Sequence, residues 1–67
     1  MRLNKIKTKI EKELGKKIFL DKSFKDNNFD SLDLITLISF IEDYYKIRIS
    51  ESKLKKIKNF IDLEKIL

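Results

Sequence analysis

The stretch that decides the fold is residues 30–50, DSLDLITLISFIEDYYKIRIS. The Asp30 side chain can accept from the amides of a first helical turn. Asp33, three residues on, supplies the reciprocal member of a capping box. Behind this cap Leu34, Leu37, Ile38, Ile41 and Tyr45 recur at helical spacing and form one continuous inner stripe. Ile35 and Phe40 fall off it. The helix is thus apolar on more than one face, so it is central to a bundle or keeps part of its surface for a partner. Residues 46–49, Lys-Ile-Arg-Ile, alternate like a strand. Four residues cannot build a sheet alone, and an extended connector placing Ile47 and Ile49 in the core is the better reading.

Upstream, Leu3, Ile6, Ile10 and Leu14 are spaced by three and four. They predict an amphipathic helix of about 12 residues, closed by Gly15 as C-cap with Lys16 and Lys17 at its negative end. Between the two helices, residues 16–29 hold Ile18, Phe19, Leu20, Phe24 and Phe29 at irregular spacing. This segment reads as a long loop pinned by its aromatics, with a short helical turn after Asp21 or Ser23 and a turn at Asn27-Asn28. Downstream, Ser50 caps a short third helix carrying Leu54 and Ile57. Asn59 and Asp62 repeat the capping spacing before a brief last helix with Phe60, Leu63, Ile66 and Leu67. The expected fold is all-α: a small four-helix bundle over residues 1–67, with three principal helices and a short third one. No helix is long enough to stand alone, so tertiary packing must hold them.

Composition removes several function classes. The 67 residues contain no Cys and no His, which excludes disulfides, thiolate chemistry and the commonest neutral-pH acid-base group. Apolar runs reach only three residues, as in Ile18-Phe19-Leu20, too short to span a membrane. The first fifteen residues lack an apolar signal core, which makes the cytoplasm the expected location. No phosphate-binding glycine loop or metal-binding motif is present. Asp26, Asp30 and Asp33 could loosely hold a divalent cation, but they read better as one turn residue and two caps. With no poised nucleophile and base, catalysis by this chain is not expected. One hydroxyl stands out by position. A phosphate on Ser31, the first helical residue after the Asp30 cap, would face free backbone amides and the positive end of the helix dipole.

The run Asp30-Ser31-Leu32-Asp33, followed by Leu37, Ile41-Glu42-Asp43, Tyr45, Ile47 and Ile49, resembles the acyl carrier protein family in order and spacing. Leu3, Ile6, Ile10, Phe24, Ile57, Phe60 and Ile66 extend the resemblance over nearly the whole chain. It implies that Ser31 receives a covalent 4'-phosphopantetheine, whose thiol carries acyl groups as thioesters, so the reactive sulfur belongs to the cofactor. Asp30, Leu32 and Asp33 would support recognition by a phosphopantetheinyl transferase. Ile35 and Phe40 would meet partners or line an acyl cavity between the second and third helices. Glu42 and Asp43 would offer charge to basic partners. The implied role is a monomeric, non-catalytic carrier, in fatty acid biosynthesis, visited by acyl-transferring, condensing or acyl-activating enzymes. A specialised aminoacyl carrier and an unmodified interaction domain are the alternatives. Asn28-Phe29 stand where the family commonly has Gly and a small or aliphatic residue. Asn28 tolerates a left-handed turn, whereas Phe29 is expected to crowd the attachment loop.

The net charge of +5 invites a nucleic-acid reading, but residues 31–45 hold no Lys, Arg, Asn or Gln with which a recognition helix reads bases. The charge is also segregated. Residues 26–45 carry five carboxylates and no basic side chain, while residues 46–67 carry seven basic against three acidic. The face around Ser31 is the acidic one.

Overall fold

In the computed structural model, which describes residues 2–67, the chain forms α1 (Arg2–Lys5), α2 (Lys7–Leu14), α3 (Ser31–Tyr45), α4 (Glu51–Leu54) and α5 (Phe60–Lys65). The fold is all-α, as expected, with five helices where periodicity gives four. The extra one arises because the first helix divides at Ile6, whose φ of −117° and ψ of 11° leave the α region. The Ile6 amide bonds to Leu3 O at 3.2 Å, one residue tighter than an α turn, while Ile10 N still reaches Ile6 O at 2.9 Å. Leu3 N donates to Glu64 Oε1 at 3.0 Å. That tie draws α1 onto α5 and seats Leu3 fully in the core.

Each remaining boundary has a local cause. Gly15 closes α2 in the left-handed region (φ 70°), and Glu11 Oε2 accepts from Ile18 N at 2.9 Å, turning the chain back along the helix it has left. Lys46 closes α3 at φ 57° with its amide on Glu42 O. The Glu42 carboxylate then accepts from Ile49 N at 2.8 Å. Glu42 therefore shapes the extended connector and helps bury Ile49, which is 8% exposed. Ser50 Oγ accepts from Lys53 N to start α4. That helix ends at Leu54, so Ile57 lies in the following turn and not inside the helix. Asn59 Oδ1 accepts from Asp62 N at 2.8 Å and starts α5.

The core gathers Leu3, Ile6 and Ile10 from the first two helices, Leu37 and Ile41 from α3, Ile49 from the connector and Phe60 and Leu63 from α5. Ile18 and Phe24 join it from the long loop. Phe24 meets the Phe60 ring edge-on at 5.0 Å and stacks on Phe29 at 5.6 Å. Phe24 N also donates to Lys58 O at 3.0 Å, pairing the loop with the segment before α5. Phe19, expected among the pinning aromatics, is half exposed under Lys22.

Asn27 organises the loop instead. It is buried (6% exposed). Its Oδ1 accepts from Phe19 N at 2.7 Å, and its Nδ2 donates to the carbonyls of Phe19, Lys22 and Ser23. One side chain thus supplies the partners that these part-buried backbone groups would otherwise lack.

Candidate functional site

The capping box read from the sequence is formed: Asp33 N donates to Asp30 Oδ1 at 2.8 Å, and Asp30 N to Asp33 Oδ2 at 3.3 Å. Asp33 Oδ2 also accepts from Lys16 Nζ at 2.6 Å. The Lys16 hydrogen bond holds the Asp33 carboxyl below its ordinary value of 3.8. Lys16 Nζ reaches Asn28 O as well, at 3.2 Å, and lies 5.6 Å from the centre of the Phe29 ring. The end of α2 is thereby tied to the turn that delivers the chain into α3. Periodicity shows Lys16 only as a helix-end cation; its contact with Asp33, seventeen residues away, is a product of the fold.

The turn itself has Asn28 at φ 61°, the left-handed conformation that asparagine tolerates. Phe29 does not crowd the attachment loop. Its ring is turned into the core, half-buried, stacked on Phe24 and edge-on to Phe60 at 6.0 Å. That rotation leaves Ser31 exposed on the first turn of α3. Its hydroxyl makes no hydrogen bond to another described residue.

Beside Ser31 opens a cleft of about 270 Å³ lined by Phe24, Leu34, Ile35, Ile38, Leu54 and Ile57. Ser31 is its one polar lining residue. On α3 the cleft residues stand three, four and seven positions beyond Ser31, a spacing that puts them on one helix face with it. Leu34 and Ile38 thus serve both the inner stripe and the cleft wall. Ile35 lines the cleft and is 63% exposed. Phe40 does not. Nine residues from Ser31 at about 100° each places it on the opposite face, where it is half-buried and stacked on Tyr44 at 5.8 Å.

The other sequence-derived residues separate by environment. Leu32 (69% exposed) and Asp43 face solvent. Glu42 is half-buried with its carboxylate on Ile49 N, so it serves the fold of the connector. Asp26 is exposed, its amide on Ser23 Oγ, and no cluster of three metal-ligating side chains forms among the described residues. No helix among them is long and apolar enough to cross a membrane.

A free hydroxyl at the start of a fifteen-residue helix, bordering an apolar cleft, fits a phosphodiester-linked arm. The phosphate would lie near the helix-start amides and the positive dipole end, and the cleft offers an apolar cargo a place to rest. The comparisons agree. Residues 4–67 match the family described as the phosphopantetheine attachment site. The structure is similar to the crystal structure of an acyl carrier protein from Thermotoga maritima, with a TM-score of 0.81 and 31% identity, covering 97% of this chain and 80% of that one. The chain belongs to the acyl carrier protein family and bears its phosphopantetheine attachment site.

Proposed function

We propose that Ser31 is the residue esterified to 4'-phosphopantetheine and that the chain carries acyl intermediates of fatty acid biosynthesis between partner enzymes. When bound, the arm supplies a terminal thiol on which acyl groups are held as thioesters. The observation that carries the reading is the apolar cleft opening beside the exposed Ser31 hydroxyl. The Asp30–Asp33 box and the Lys16 tie hold the first turn of α3, so a phosphopantetheinyl transferase meets a fixed hydroxyl. Leu34, Ile38, Leu54 and Ile57 shelter an apolar chain from water. Leu32, Ile35 and Asp43 remain exposed for acyl-transferring and condensing enzymes. The chain's part is to present and protect cargo; the partner enzymes perform the chemistry.

The predominantly apolar lining favours a fatty acyl group over an aminoacyl group, whose ammonium would lose its hydration there. The test loads the phosphopantetheinylated chain with acetyl, hexanoyl, octanoyl or alanyl groups and records thermal unfolding. Each buried methylene adds about 0.8 kcal/mol, so the midpoint should rise from acetyl to octanoyl. Leu54→Trp, which fills the cleft, should erase the trend. No dependence on chain length, or stabilisation by alanyl equal to that by octanoyl, refutes a fatty acyl cargo.

A further inference from the structure

A second surface borders the cleft and is built with the opposite charge. Lys53, Lys55, Lys56, Lys58 and Lys65 are all exposed, and none forms an ion pair with a described residue. Lys53, Lys56 and Lys65, together with Asp62, line a depression of about 220 Å³ between α4 and α5, floored by Ile57 and Ile66. Of the carboxylates on α5, Asp62 lines the depression while accepting from Lys58 N at 3.0 Å, and Glu64 accepts from Leu3 N at 3.0 Å. Three ammonium groups therefore stand against one carboxylate around this depression, and residues 46–67 carry seven basic side chains against three acidic, a net positive surface that attracts anions. Ile57 lines both this depression and the Ser31 cleft, so the two surfaces are continuous.

We propose that the α4–α5 lysines form part of the docking face and that partners of this carrier present carboxylates to them. The inference rests on the carrier reading of Ser31. A body that covers Ser31 and the cleft mouth meets Leu54 and Ile57, and so reaches Lys53 and Lys56. A polyanionic bilayer or nucleic acid fits less well, because Asp30, exposed next to Ser31, and Asp43, exposed on the same helix, repel an extended anionic surface. A protein can match both signs, with basic groups opposite α3 and acidic groups opposite α4.

A charge-swap cycle tests the proposal, using the full chain and one phosphopantetheinyl transferase in two forms. The forms carry either lysine or glutamate at the transferase positions that meet α4 in the docked complex. Dissociation constants are measured without coenzyme A, for the native chain and for K53E/K56E, with circular dichroism confirming that the exposed substitutions leave the helices intact. The native chain should bind the glutamate form about fivefold more tightly than the lysine form. K53E/K56E should reverse that order, with both differences shrinking as salt rises. Additive effects without reversal overturn the proposal, as does failure of the native chain to bind either form. Co-sedimentation of the native chain, but not K53E/K56E, with vesicles containing 30% phosphatidylglycerol at about 0.15 M salt also overturns it, by assigning the lysines to a membrane surface. Loading of Ser31 by mass is read separately: binding with reversal but no mass gain contradicts the carrier reading alone, and mass gain without reversal contradicts this inference alone.

Discussion

Replacing Asn27 with Ala removes the side chain that holds the long loop together. One hydrogen bond accepted from Phe19 N is lost, together with those that the two Nδ2 hydrogens share among the carbonyls of Phe19, Lys22 and Ser23. A net contribution of about 1 kcal/mol for each of three hydrogens engaged sets an upper range of about 3 kcal/mol. Phe19 and Lys22 are exposed residues, so part of the freed backbone regains water, and about 2–3 kcal/mol is the expected loss. A 67-residue chain has a total stability of about 3–10 kcal/mol, by the usual per-residue range, so this single change takes a large share. Urea unfolding followed by circular dichroism should show a lower midpoint at unchanged slope, and the thermal midpoint should fall by about 10–20 °C. Asn27→Asp is the informative companion. It keeps an acceptor for Phe19 N but turns carboxylate oxygens toward three carbonyls, so it should be no more stable than the alanine variant at neutral pH. A loss below about 1 kcal/mol for Asn27→Ala, or a stable Asn27→Asp, refutes the claim that this side chain organises the loop.

Three further outcomes follow from local geometry. Lys16→Met should destabilise the chain at pH 7. Because Asp33 titrates below its ordinary value of 3.8 through Lys16, the pair's contribution is present above that pH and lost as pH falls through the lowered value, so native and variant unfolding curves should converge in acid and stay apart at neutral pH. Lys46→Gly should raise the thermal midpoint, since Lys46 closes α3 at φ 57°, where a Cβ costs about 1 kcal/mol; a lowered midpoint contradicts this. Phe60→Ala empties the fully buried centre of the Phe24–Phe29–Phe60 cluster at about 3–5 kcal/mol, and should leave the chain largely unfolded at 37 °C by near-ultraviolet circular dichroism.

What the sequence disclosed tracks the range of the interactions. Helix α3 was legible because its cap, its apolar period and its end lie within neighbouring residues. The caps at Ser50 and Asn59 and the left-handed closure at Gly15 were legible for the same reason. The break at Ile6 was not, because nothing in its neighbours opposes a helix; the Leu3–Glu64 bond that accompanies it joins residues 61 apart. Asn27 looked like an ordinary turn residue, since its hydrogen bonds depend on how the loop wraps. The attachment serine was visible through its place after a cap and through the family resemblance. The cleft beside it needed the turn after α4, which brings Ile57 over α3. Phe29 shows the converse error: judged by volume it obstructs the loop, but its ring finds Phe24 and Phe60 in the core.

The central claim is that Ser31 holds the prosthetic arm, and intact mass spectrometry of the chain incubated with coenzyme A and a phosphopantetheinyl transferase tests it most directly. The expected result is a gain of about 340 Da, the size of one phosphopantetheinyl group, located on the peptide containing Ser31 and absent from a folded Ser31→Ala variant. An unchanged mass with several transferases that load other carriers, or an equal gain on Ser31→Ala, contradicts it.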